Sequence, residues 1–324
     1  MHIGYQRGGH IWGIEIEMGS DTWEAKFISA HKRIEGLVKR TPMVESKRLS
    51  ERLGLRVLLK LENQQVTGSF KARGAIHKLL SLTSEQRARG IVAASSGNHG
   101  AAVAYGANQL GCPATIYVPN YAADVKKQAI ASFGAEVRVQ GSDCVETEAI
   151  ARKASEENGQ PYVPPYNDVD VMAGQGTVAV EMLQDFPELD AFFVALGGGG
   201  LIGGMGLYSK AVSPLTKVIA CSPEQSPAMH QCMEAGRVID VPCYETLSDA
   251  TAGGVEPGAI TVDICNQVVD DSILVRETEI SECMRALWDA EQLVVEGAAG
   301  VALAGAERMA RSGNFQNVGI IVCG

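Results

Sequence analysis

Ala191-Phe192-Phe193-Val194-Ala195-Leu196-Gly197-Gly198-Gly199-Gly200-Leu201-Ile202-Gly203-Gly204 is the stretch on which the architecture turns. Six apolar residues of strand type run into four glycines and then into apolar sequence of helical character. A strand that is apolar at every position is buried on both faces, the habit of parallel sheets. Successive glycines carry no Cβ, so their N–H groups can turn inward at a helix start, where the dipole favours an anion. A phosphate group is the natural occupant. Two other readings compete: a purely structural close-packing turn, and the dinucleotide fingerprint, because Gly198, Gly200 and Gly203 fit G-x-G-x-x-G with Glu224 available for a ribose. Four glycines in a row exceed what the fingerprint needs, and the segment falls late in the chain.

The same alternation extends in both directions. Helical periodicity runs through Phe27, Ile28, His31, Ile34 and Leu37 and stops at Thr41-Pro42. Short strands follow at Arg56–Leu61, Gly90–Ala94, Ala114–Val118 and Glu136–Val139, then at Lys217–Cys221 and Gly319–Cys323. Helices are expected at Asp124–Phe133, from Cys144 to Glu157, and around Thr177–Phe186. The class is α/β with parallel twisted sheets flanked by helices. Ligands in such sheets sit beyond the carboxyl ends of the strands. Four segments with unusual chemistry lie at such ends or at helix starts: Gly68–Lys71, Ser95–Gly100, Gly197–Gly204 and Cys323-Gly324.

Composition excludes several classes. The 324 residues carry 28 Lys+Arg against 38 Asp+Glu, a net charge of −10 with no basic block, so nucleic acid is not an expected partner. No apolar run is long enough to cross a bilayer, so no membrane is expected either. Residues 1–22 lack the pattern of a signal peptide and read as an extension outside the catalytic fold. Eight cysteines, none spaced C-x-x-C, read as reduced thiols of a cytoplasmic protein. His77 and His230 and the Met229/Met233 pair read as packed or surface residues.

Thr67-Gly68-Ser69-Phe70-Lys71-Ala72-Arg73-Gly74-Ala75 puts a lysine at a helix start among small residues. A Schiff-base lysine must shed its proton, and both a helix N-terminus and burial favour that. A solvated surface lysine fits the same residues. Gly68-Ser69-Phe70-Lys71, Ser95-Ser96-Gly97-Asn98-His99-Gly100, Ala173-Gly174-Gln175-Gly176-Thr177 and the glycine cluster, in that order, resemble fold-type II pyridoxal-phosphate enzymes. The branch they are similar to is that of the serine/threonine dehydratases and serine racemases, and the likeness runs from about residue 24 to the end.

The resemblance implies a two-domain fold like that of the tryptophan synthase β-subunit, with pyridoxal 5′-phosphate as cofactor and a homodimer as assembly. Residues 1–89 and 168–324 would form the large cofactor-binding domain and 90–167 a small mobile one. It implies that Lys71 holds the cofactor and acts as acid/base on Cα, while Phe70 packs on one ring face. Asn98 would bond the ring 3′-oxygen, and Gly197, Gly198, Gly199, Gly200 and the Leu201 amide would hold the phosphate. Gly254 would lie over the second ring face and Cys323 would face the pyridine nitrogen. Ser95, Ser96, Gly97, Asn98 and His99 would bind the substrate carboxylate.

The implied reaction is α,β-elimination of a small β-hydroxy amino acid such as L-threonine or L-serine to a 2-oxo acid and ammonia. A neutral thiol at the ring nitrogen makes a weaker electron sink than an aspartate, and elimination tolerates that. Ser96 matches the second acid/base of the racemases, so racemisation is the alternative, along with a dehydratase for hydroxyaspartate or phenylserine. Where that family places carboxylates for a divalent metal, Ser222 and Ala228 stand here, so no metal is expected. No regulatory segment follows Gly324, so control by isoleucine is not expected.

Overall fold

The computed structural model describes residues 20–311 and 315–323. Most of the stretch read as an extension, and Gly324, lie outside the described residues. Nine strands are described: β1 Met43–Glu45, β2 Arg56–Leu61, β3 Ile91–Ala94, β4 Ala114–Val118, β5 Glu136–Val139, β6 Ala191–Ala195, β7 Lys217–Pro223, β8 Asp271–Val275 and β9 Asn317–Val322. The first helices are α1 Ser20–Ile34, α2 Lys47–Leu53, α3 Lys71–Ser81, α4 Ser84–Ala88, α5 Asn98–Gln109, α6 Asp124–Ser132 and α7 Cys144–Asn158. They are followed by α8 Val169–Asp185, α9 Gly200–Val212, α10 Ala228–Ala235, α11 Ile260–Val268, α12 Glu277–Glu291 and α13 Gly297–Ala310.

The strands form two sheets. Six lie in the order β1-β2-β9-β6-β7-β8 and three in the order β3-β4-β5. All pairings are parallel except the short β1 against β2. Fully apolar strands make sense once both faces are covered. Leu58, Phe192, Val194, Val218 and Ile321 point into the core layer under α1, α8 and α9. Their neighbours Leu59, Phe193, Ile219 and Ile320 point into the opposite layer under α12 and α13. That is the period-two alternation of a strand, with apolar residues needed at both phases. The three-stranded sheet shares its core with α3, through Ala72, Ala75, Ile76 and Leu79.

One expectation about local structure is corrected. The helix expected around Thr177–Phe186 begins earlier: Ala173-Gly174-Gln175-Gly176 lies inside α8, which starts at Val169 and is capped by Asp168. Its glycines lower helix propensity but allow close approach. A Cβ on Gly174 would collide with the Arg73 carbonyl of α3, and one on Gly176 with Phe27 of α1 and the backbone at Gly204 of α9. Tertiary packing overrides the local preference here.

Candidate active site

Four helices begin at one cavity. Lys71, Asn98 and Gly200 are the first residues of α3, α5 and α9, and none of these helices has a side-chain N-cap. Glu296 is the N-cap residue of α13. The cavity measures about 870 Å³ and is lined by residues from all four, with further walls from Pro119–Phe133, Cys144–Glu148 and Asp249–Ala252. Helix starts expose unpaired N–H groups and the positive end of the dipole, so this geometry favours bound anions.

Lys71 lies in that cavity, with Nζ donating to the Pro165 carbonyl at 2.8 Å and standing 5.3 Å from the Phe70 ring centre. Burial lowers its pKa to about 8, so about a tenth of the amine is neutral at pH 7. Cys323, buried after β9, is pushed the other way, since burial and the carboxylates of Glu62 and Glu296 disfavour a thiolate. It remains a neutral thiol.

The start of α3 is pinned by a buried ion cluster that sequence reasoning missed. Arg73 pairs with Glu62 and Glu181, at 2.9 and 2.7 Å, and Lys60 pairs with Glu181 at 2.6 Å. Two cations balance two carboxylates, and Thr41 and Thr177 add hydrogen bonds. Such a cluster costs desolvation but fixes geometry, because removing one partner leaves an uncompensated buried charge. The signal was present: a lysine inside the apolar strand Val57-Leu58-Leu59-Lys60-Leu61 demands a buried partner.

The glycine turn after β6 is wedged in place. A Cβ on Gly198 would fall on the Tyr166 ring, and one on Gly200 would sit 2.6 Å from Gln175 Oε1. Gly199 has φ +84° and its back faces Thr261 and Cys265. The structural and anion readings of this cluster therefore hold together: tight packing behind keeps the turn's free N–H groups at the mouth of α9. Tyr166 also accepts a hydrogen bond from the Glu256 N–H at 3.0 Å, tying the turn to the loop before α11. Gly203 belongs to helix packing against Met172 and Ile264, and Glu224 faces Arg308 at 3.7 Å, away from any ribose task.

The serine turn after β3 is held more lightly. Ser95 Oγ accepts from the Gly97 N–H at 3.1 Å, and Ser95, Ser96, Gly97, Asn98 and His99 all line the cavity. His99 Nε2 lies 2.9 Å from the Val163 carbonyl, so it carries the proton, leaving Nδ1 buried without a partner. Burial and the charge of Lys71 hold its pKa down at about 3, so the ring is neutral.

Two of the expected site residues have neighbours that were not read from the sequence. Gly254 is not among the lining residues; the Gly253 N–H donates to Ser226 Oγ at 3.0 Å, and Asp249–Ala252 form that edge instead. Asn98 lines the cavity, but its amide nitrogen is engaged by Glu296, at 3.1 and 3.0 Å from the two carboxylate oxygens. Glu296 was not singled out from the sequence, though a lone acid before Gly297-Ala298-Ala299-Gly300 is a visible break in polarity.

An anion cradle, a lysine able to lose its proton and a neutral hydrogen-bonding thiol thus line one cavity, and these residues fit a phosphate-bearing aldehyde cofactor. Residues 34–324 match the family model described as pyridoxal-phosphate dependent enzyme. The chain belongs to that family. This pyridoxal-phosphate enzyme is 38% identical over 275 residues to an L-threonine ammonia-lyase of Geobacter sulfurreducens, covering 85% of this chain and 68% of the relative. It is 37% identical to an L-threo-3-hydroxyaspartate ammonia-lyase of Saccharomyces cerevisiae, covering 92% and 91%. Among solved structures, maize serine racemase superposes with a TM-score of 0.88 at 32% identity, covering 93% and 92%. The family membership removes the nicotinamide reading of the glycines.

Proposed function

We propose that this pyridoxal-phosphate enzyme is an ammonia-lyase that converts a small β-hydroxy amino acid such as L-threonine or L-serine to a 2-oxo acid and ammonia. The observation that carries the reading is Lys71 Nζ in one cavity with the glycine turn, the serine turn and the neutral Cys323 thiol. When bound, the cofactor supplies an electron sink for charge leaving Cα. Lys71 holds the cofactor and moves the Cα proton. Phe70 would pack on its ring, the Gly197–Leu201 amides would take its phosphate, and Asn98 would bond its ring oxygen. The free N–H groups of the Ser95–His99 turn bind the substrate carboxylate. The Cys323 thiol would face the ring nitrogen and moderate the sink, which suits elimination of the hydroxyl. The water lost in the elimination returns in the hydrolysis that releases ammonia, so the atoms balance.

Residues 90–167, which contain the three-stranded sheet, are in this reading a mobile unit that closes over substrate and excludes water. The assembly is a homodimer, and the eight free cysteines suit a reducing, cytoplasmic setting. Among the described residues no helix is long and apolar enough to cross a membrane.

The test is the visible absorbance of cofactor-loaded protein, before and after L-threonine or L-serine, with 2-oxo acid assayed in the same tube. A visible band with 2-oxo acid formed supports the lyase. A band without product from these two, or from hydroxyaspartate and phenylserine, sinks it. Ser96 in the cavity favours one second reading, racemisation, which the appearance of the D-amino acid would reveal.

A further inference from the structure

Glu296 is the N-cap residue of α13, yet its side chain makes no capping bond to that helix. An N-cap carboxylate ordinarily gains by accepting from its own first turn. This one turns across the cavity to α5, where both oxygens accept from Asn98 Nδ2. It does so in a cavity ringed by helix starts that favours anionic ligands. A glutamine could pair with Asn98 without adding a negative charge beside a phosphate and a carboxylate; a glutamate there can change its charge.

An ionised carboxylate offers only lone pairs, whereas a primary amide has a donor end and an acceptor end. Ionised Glu296 can therefore face only the nitrogen of Asn98, and Oδ1 is turned away from it. Once Glu296 takes up a proton, its O–H can donate to Oδ1, and the flipped amide is bonded equally well. We propose that Glu296 is the positioning residue for Asn98: its charge decides which end of the amide faces the cofactor, and so which hydrogen bond the ring oxygen receives. This rests on the role given above to Asn98 and is independent of which amino acid is consumed.

The groups facing Glu296 come from several elements. Asp249, on the turn Asp249–Thr251, disfavours its charge, and Lys126 of α6 favours it. These two pair with each other at 3.3 Å. Cys323, after β9, feels the carboxylate and stays a neutral thiol, and Lys71 of α3 acts on that thiol in the opposite sense. Burial, the largest influence, holds the Glu296 carboxyl above the usual carboxylate range.

The experiment is a pH titration of the visible spectrum of pyridoxal-phosphate-loaded protein, with cofactor retention on dialysis as the check on folding. Wild type is expected to show a spectral transition that Glu296→Gln abolishes while retaining cofactor. Lys126→Met should move the midpoint up and Asp249→Asn should move it down, since each removes a charge that acts on Glu296 in the opposite sense. A folded, loaded Glu296→Gln protein with the wild-type transition overturns the proposal. If that variant does not fold, unmoved midpoints in both Lys126→Met and Asp249→Asn overturn it. Asn98→Ala separates the two layers: if it keeps the wild-type transition, the reading of Asn98 itself fails. If it loses the transition while Glu296→Gln keeps it, only the task assigned to Glu296 fails.

Discussion

The glycine turn at Gly197–Gly200 and the serine turn at Ser95–His99 are built to one plan and held in different ways. Each follows a parallel strand, opens a helix with no side-chain cap and lines the same cavity. The glycine turn has little slack: a Cβ at Gly198, Gly199 or Gly200 would fall on Tyr166, Gln175, Thr261 or Cys265, and one at Gly197 would lie 3.3 Å from Thr251. The serine turn has room, and a Cβ added at Gly97 would meet nothing within 4 Å. In the proposed function the first is a preformed cradle for the cofactor phosphate, and the second adjusts to a substrate that arrives and leaves each turnover. Damage to the first should appear as lost cofactor, and damage to the second as altered substrate kinetics with cofactor in place.

Lys71 lines the same cavity as both turns and is the proposed cofactor anchor and proton carrier, so its removal has the largest expected effect. Lys71→Ala should lower turnover by about 10⁴-fold or more, as expected when a covalent anchor and a proton carrier are lost together. Its visible lysine-dependent band should vanish, while the intact cradle still retains cofactor without a covalent link. Loss of cofactor to buffer exchange in this variant would show that the cradle is not preformed, and the comparison would break.

The next largest effect tests the wedge. Gly198→Ala should weaken cofactor binding by about 10- to 100-fold, because overpacking against the Tyr166 ring costs about 1–3 kcal/mol. Tyr166→Ala in the same chain should recover much of that loss. If the double variant is as weak as the single one, the methyl group is obstructing the phosphate rather than the ring behind the turn. Cofactor affinity by titration decides between them.

How much of this was legible follows from where each determinant resides. The sheets could be read because β6, β7 and β9 are apolar at both phases of the strand, a local property. Gly197–Gly200 and Lys71 could be picked out as candidates because glycine runs and a helix-start lysine carry their chemistry with them. Other features depend on partners distant in the chain. Gly174 and Gly176 look like loop residues until Arg73, Phe27 and Gly204 are found against them. Arg73 looks solvated until Glu181, more than a hundred positions away, is brought underneath, and Lys60, in an apolar strand that demands a partner, does not reveal that the partner is the same Glu181. Glu296 looks like an ordinary capping acid until Asn98 is opposite it, 198 positions earlier. Periodicity and motif spacing carry no information about such pairs.

A third test uses pH to separate the cradle's chemistry from the serine turn's. Burial depresses the Lys71 pKa to about 8, and only the neutral amine can attach to the cofactor aldehyde. Below that value the amine is protonated and attachment is slow; above it the rate levels off. The rate at which apoprotein develops its visible band should therefore rise about tenfold from pH 7 to 9, with its midpoint near 8. Asp249→Asn and Lys126→Met, which act on Glu296, should leave that midpoint where it is. A midpoint near that of a free lysine would mean that the cradle does not bury the amine before cofactor arrives.

The smallest expected effect lies at the serine turn. Gly97 has φ −114°, outside the left-handed region, and open space where a side chain would project. Gly97→Ala should leave cofactor affinity within about a factor of two of wild type, the range of substitutions that touch nothing. Any change should fall on KM for the amino acid, because the methyl group stands at the rim where the substrate carboxylate is proposed to bind. Paired with Gly198→Ala, this measures the contrast directly: the same added methyl, at the same kind of helix start, acting on cofactor in one turn and on substrate in the other. Equal losses of cofactor from both variants would mean that the two turns are equally rigid, and the division of labour argued from their packing would fall.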